Sequence, residues 1–583
     1  MGTFPSLAAT PGDEALYALM DHLFYKSMMA SPENASSLGI DTGALGQLRH
    51  RLDDYGLAGR IAALQNDRDQ LAALRSVSTA GLSETADLRL QIATAKAVNA
   101  LQTEKWGIPG PFATYPISHM QGAFSSVPNL LDSTHPLDDS ADAEAYLDRL
   151  ARFAYALDDE TELARHEADR GFVAPKWSLG IAMEQIAGIA GTPPADSPMV
   201  RRLARAMEDA GIGGDWSSRA AAILETSVNP ALLRQRDALR RLQALSPAGD
   251  GIWRVPDGEN YYAAALRYYT TLDTPPGEVH RIGVEQVAEL SARIDEMLID
   301  AGLTKGSVAA RLNVLNERSD QAWEDSDAGR ERLLAKLNED YAKIVEKLPQ
   351  AFATLPSQPM EIRPVPVELQ DGAPLGYYYG ASLDGSRPAI YWINLKDVKD
   401  WPRYSLPALT YHESSPGHHF QTSILQEEAD LPMLLKTGFI TSYGEGWALY
   451  AEEVAAEIGG YTGLEMVGAL QSWLFRAARL VTDTGLHDKR WSLEKATRYF
   501  TDTVGFAANQ SASEVRRYCV WPGQACSYKM GQNQWRALRT RAETALGDRF
   551  DVRQFHEILR EGSMPLDLLE KRVDRWIERQ MGG

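Results

Sequence analysis

The chain has 583 residues, 44% of them hydrophobic and 24% charged, which is the make-up of an ordinary globular protein and sets aside disordered and fibrous classes. Its net charge of −20 argues against nucleic acid or an anionic membrane surface as partner, since both demand a basic face. No apolar run is long enough to span a bilayer; the stretch from Leu179 to Gly191 is interrupted by Glu184 and Gln185.

The amino terminus lacks a basic region followed by an apolar stretch, so no signal peptide is expected in this sequence. The expected compartment is the cytoplasm, or the periplasm or exterior if an export signal has been removed. Gly2 and Ser6 fit a myristoylation pattern, but so short a match is usually accidental. Cys519 and Cys526 are too few for a disulfide framework and read as two free thiols in a packed segment.

Along the chain, residues 85–103 and 279–300 space apolar residues three and four apart, and 328–349 is rich in Leu, Ala, Glu and Lys; all three read as helices. Breaks fall at Pro193-Pro194, across 246–258, and across the proline-rich 354–376. The expected fold is mostly α, with a helical lobe at 1–255 and a catalytic helical lobe at 256–583. Residues 389–395, a run of β-branched and aromatic side chains, read as a strand. An exposed edge there would hold an extended peptide through its backbone, and Tyr391 would then line the substrate path, as would Tyr377, Tyr378 and Tyr379. A helix is expected to follow from about Leu406.

That helix carries His412-Glu413-Ser414-Ser415-Pro416-Gly417-His418-His419. Catalytic zinc needs three protein ligands and an open position, and the familiar H-E-x-x-H places two histidines on one helical face with the glutamate reaching water. Here Pro416 stands where the second histidine belongs. On an unbroken helix His418 would lie about 120° around the axis from His412, and His419 about 10.5 Å further along. Pro416 interrupts the helical hydrogen bonding and disfavours helical angles at Ser415, and Gly417 permits a turn. A two-residue bulge would then bring His418 to the second ligand position. His412 and His418 are the expected Zn2+ ligands, His419 the alternative, and Glu413 the general base. His556-Glu557, with no histidine following, reads as surface helix.

A third ligand is sought in 442–458, a helical pattern with Trp447, Ala451, Val454 and Ile458 on one stripe and a stop at Gly459-Gly460. Glu445 lies at its start between Gly444 and Gly446, which would let the backbone approach another element. Glu452 and Glu453, two turns on, suit either a ligand or a supporting carboxylate.

The motifs HESSPGHHFQ, YGEGWALYAEE, RLVTDTGLH at 479–487 and EVRRY with PGQACSYKMG at 514–531 resemble the bacterial family called domain of unknown function 885, as do residues 254–270, 274–280 and the early stretch around Leu38-Gly39-Ile40. More distantly the chain is similar to the helical gluzincin peptidases, built as two helical lobes around a deep cleft. The resemblance implies a zinc peptidase with His412 as first ligand, Glu413 as base and Glu445 as third ligand. It also implies a tyrosine opposite the metal to stabilise the oxyanion, for which Tyr528 is the candidate and His487 the second. Arg517 and Lys529 are candidates for a substrate carboxylate. The expected substrate is a peptide or small amide. A metal hydrolase of another amide or ester, and a non-catalytic binding protein, are the alternatives, the second disfavoured by Glu413.

Overall fold

Helices form where the apolar spacing calls for them. In the computed structural model, which describes residues 11–367, 370 and 375–582, the three predicted helices run Glu84–Ala100, Pro276–Asp300 and Asp327–Lys347. The first is capped by Ser83, whose hydroxyl accepts from Ala86 N–H, and the third by Ser326, accepting from Gly329 N–H. Gly2 and Ser6 lie outside the described residues.

The fold is mostly helical with one small sheet. Strands β1 (Met360–Pro364), β2 (Gly376–Tyr379) and β3 (Ala389–Ile393) are ordered β1-β3-β2, with β3 parallel to β1 and antiparallel to β2. The predicted strand is therefore the central one, not an edge. Because both sides of β3 are hydrogen-bonded, the edge beside the metal motif is that of β2, which among the described residues pairs on one side only. Tyr391 is fully buried, packed with Ile393, Leu395, Leu406 and Leu337, and so takes no place on an exposed substrate path.

The cores cross the boundary drawn at residue 255. One core runs from Leu52 to Ala265 with Val520, whereas a second joins Leu16–Ala97 to side chains between Leu348 and Ile577. Much of the first hundred residues, Leu16–Leu23 and Leu74–Ala97, thus packs against the half that carries the metal motif. His556 is in that second interior: its ring bonds Ala351 O and Tyr450 Oη. It is a core histidine, not part of a surface helix.

The motif is held by helices α1 (Leu406–Glu413), α2 (His418–Glu427), α3 (Thr441–Glu457), α4 (Glu465–His487), α5 (Ala508–Val520) and α6 (Ser527–Leu546). Helix α3 crosses α6 where Gly446 meets Gly531. A Cβ on Gly446 would stand 2.4 Å from Gly531 Cα, and one on Gly531 2.0 Å from Ser442 O. The glycine after Glu445 therefore serves the close approach expected of it, since backbone cannot yield as a side chain does. Gly446→Ala is predicted to destabilise the fold by roughly 1–3 kcal/mol through overpacking. A lowered thermal midpoint checks this, and an unchanged one would show that the helices can separate freely.

Candidate metal centre

The histidine motif breaks at the expected place. Helix α1 ends at Glu413, the chain turns through Ser414–Gly417 with a cis Ser415–Pro416 peptide, and α2 begins at His418. Three contacts lock the turn: Gly417 N–H to Tyr411 O, His419 N–H to Ser414 O, and Trp447 Nε1–H to Pro416 O at 2.9 Å. Trp447, fully buried on α3, thereby ties the turn to the helix that bears Glu445. Gly417 is required for closeness here, because a Cβ would lie 1.9 Å from His412 O.

The result brings three predicted ligands together. The ligating atoms of His412, His418 and Glu445 all lie within 4.8 Å of one another. Glu445 Oε2 is 3.5 Å from His412 Nε2 and 3.2 Å from His418 Nε2. A tetrahedral ion held at about 2.0–2.1 Å separates its ligand atoms by roughly 3.3 Å, so these spacings suit zinc. Glu445 Oε2 is buried without a hydrogen-bond partner among the described residues, which is the condition of a ligand atom rather than of a satisfied ion pair.

A carboxylate behind His412 completes the arrangement. Glu452, fully buried two turns along α3, meets His412 Nδ1 at 2.9 Å, fixing the tautomer that presents Nε2 to the centre. Of Glu452 and Glu453 the structure thus selects Glu452 as support; Glu453 instead accepts from Gln532. Burial works against charge on His412, yet Glu445 and Glu452 outweigh it and hold its pKa up at about 9. Glu445 is held well below the usual carboxylate range despite burial, because His418 and His412 stabilise its charge. Glu413 is raised, chiefly by burial, with the neighbouring imidazoles opposing; that is the direction a general base at neutral pH requires. The side chains of His418 and Glu445 keep 12% and 14% exposure against 2% for His412, so solvent reaches the centre from their side.

His419 turns away. Its Nδ1 faces Tyr378 Oη and Ser423 Oγ, both at 3.2 Å, and Nε2 faces Gln358 O at 3.1 Å. It pins α2 to β2 and is not the second ligand. Tyr378 on β2 stacks 6.5 Å from the His418 ring, whereas Tyr377 and Tyr379 pack against each other. Phe439, 58% exposed, lies 6.4 Å from the same His418 ring.

Tyr528 lies beside the centre, its ring nearly parallel to that of His412 at 6.4 Å. Burial and the Glu445 charge raise its pKa while Arg479 and Arg517 oppose, so it stays protonated and able to donate. His487 is elsewhere: Nδ1 accepts from Ile252 N–H, Nε2 donates to Tyr518 O, and the ring packs on Tyr262. With both nitrogens committed to backbone and its pKa lowered by burial to about 4, it is a neutral structural side chain. Lys529 is also corrected. It is 2% exposed and donates to Gln532 Oε1 at the α3–α6 contact, buried where no solvent-borne carboxylate reaches it. Arg517 does stand near Tyr528, joined by Arg476 and Arg479 of α4, which had no role in the sequence reading. Their spacing of three on one helix was the available signal.

The chain belongs to the family described as bacterial protein of unknown function (DUF885), which matches residues 32–573. A candidate lipoprotein from Colwellia psychrerythraea has a similar structure, with TM-score 0.93 and 31% identity over 97% of this chain and 99% of that one. A candidate lipoprotein of unknown function from Shewanella oneidensis shares the fold with TM-score 0.70 and 16% identity, covering 95% and 99%. No curated protein matches. Among the described residues, no helix is long and apolar enough to cross a membrane.

A zinc ion binding here would have to displace the proton that His412 holds to about pH 9. Affinity is therefore predicted to climb about tenfold per pH unit from neutrality and to level off above that value. Competition titration with a zinc chelator across pH checks this; a flat profile would contradict the ligand assignment.

Proposed function

We propose that the protein is a zinc-dependent peptidase that hydrolyses peptide bonds of oligopeptides. The observation that carries this reading is the meeting of His412, His418 and Glu445 with Glu413 beside them and a solvent-reached side left open. A structural zinc would close its fourth position with another protein ligand and would have no use for a buried base.

When bound, zinc supplies Lewis acidity that makes water a competent nucleophile near neutral pH. Glu413, its carboxylate raised by burial, takes the proton of the attacking water and delivers it to the departing amine, the two transfers a peptide bond needs. Tyr528, which stays protonated, donates a hydrogen bond to the carbonyl oxygen as negative charge develops there. Glu452 holds His412 in one tautomer. The outer edge of β2, which carries Tyr378 past His418, offers backbone groups for an extended substrate to pair with. The helical architecture and ligand order support an affiliation with the gluzincin peptidases. The candidate-lipoprotein description of the Colwellia psychrerythraea protein supports residence at the cell envelope.

Glu413→Gln keeps the shape of the side chain and removes its basicity. It is predicted to retain one zinc per chain by elemental analysis while losing at least a hundredfold in kcat on a quenched-fluorescence peptide library. Unchanged turnover would reject the assignment of the base. Turnover of esters or non-peptide amides but of no peptide would transfer the site to the other class of hydrolase.

A further inference from the structure

Beside Tyr528 the charge is out of balance. Arg479 and Arg517 both reach Glu514 Oε2 at 3.0 Å, and Tyr518 Oη donates to that same oxygen. One carboxylate thus serves two guanidiniums, in a chain whose overall charge is strongly negative. Arg517 spends its other terminal nitrogen on the neutral Gln524 side chain. Arg479 is 5% exposed, and its Nη1 is buried with no hydrogen-bond partner among the described residues. Its guanidinium lies 4.1 Å from the Phe475 ring centroid and 4.3 Å from that of Tyr528. A third guanidinium, Arg476, is also buried, with Nε unpartnered among the described residues, but its charge faces Glu452 and Glu445 of the metal centre, so it is not part of the excess. Leaving a guanidinium N–H buried and unsatisfied is costly unless an anion arrives to take it.

The distance from this group to the metal centre is set by two short steps. The Tyr528 ring is 6.4 Å from the His412 ring, and the Arg479 guanidinium is 4.3 Å from the Tyr528 ring, which together bound the separation. An extended chain advances about 3.3 Å per residue, so an anion at Arg479 and Arg517 lies one to three residues from a bond cleaved at the centre. A carboxylate is the anion that a peptide always carries at that spacing from its own end. Arg517 keeps 13% of its side chain exposed, which gives such a group an approach, and guanidinium suits a carboxylate's two oxygens.

We infer that Arg479 and Arg517 form a binding site for the free C-terminal carboxylate of the substrate, so that the enzyme removes one to three residues from the carboxyl end of short peptides. This rests on the peptidase reading of the metal centre, and the test separates the two. An N-benzoylated Gly-Phe-Leu tripeptide is compared with its C-terminal amide, both for cleavage by the zinc-loaded wild-type protein and for binding to the Glu413→Gln variant by calorimetry. The free acid is expected to bind, and to be cleaved, tenfold to a hundredfold better than the amide, the loss typical of one charge-assisted pairing. Arg517→Gln is expected to erase that preference and Arg517→Lys to keep part of it. Equal handling of acid and amide by the wild-type protein overturns the inference while leaving the peptidase reading intact. A preference in binding without any cleavage upholds the carboxylate site and counts against the peptidase. If neither peptide binds, the inference falls.

Discussion

Three carboxylates, Glu413, Glu445 and Glu452, converge in the interior on two imidazoles, and the structure around them follows from how that charge is contained. Burying carboxylates without compensation is among the most expensive things a protein can do. His412 is clamped between Glu445 and Glu452 and holds its proton to about pH 9, yet Glu445 Oε2 and Glu452 Oε2 remain without hydrogen-bond partners among the described residues. A dication at the shared point of His412, His418 and Glu445 would answer this imbalance better than protons can, because it faces all of them at once.

The scaffold is built to make those side chains meet. Helix α1 stops one residue after His412, a tight turn closed on its own backbone reverses the path, and Trp447 nails that turn to α3. The contact of Gly446 with Gly531 lets α6 lie against α3 closely enough to bring Tyr528 over His412. The positions that look permissive in the sequence, Gly417, Gly446 and Gly531, are those where any side chain would strike backbone. Precision at the centre thus comes from closeness of main chains.

Much of this could be read from residue types and spacing. The proline–glycine interruption and its effect on His418 follow from the rules of helix geometry, because those rules are local, whereas Glu445, 32 residues after Glu413, is singled out by the family resemblance. What could not be read is what depends on pairing across the fold. Nothing in residues 389–395 says that a strand 29 positions earlier in register, beginning at Met360, will flank it and bury Tyr391. His487, His419 and Lys529 have the chemistry of functional groups, but partners distant in sequence, Ile252, Gln358 and the α3–α6 contact, consume their polar atoms. Conversely Arg476 and Arg479 look like ordinary helix charges until the fold buries them beside Tyr528 and leaves Glu514 to serve both Arg479 and Arg517.

The central claim is that one cation joins His412, His418 and Glu445 with a corner left for water. Anomalous diffraction at the zinc edge, from crystals of the full chain grown with zinc, tests it most directly. The account predicts a single strong peak within about 2.2 Å of His412 Nε2, His418 Nε2 and a Glu445 oxygen, with no fourth protein ligand. A peak at His419 or elsewhere, or an ion closed on all four sides by side chains, would contradict it.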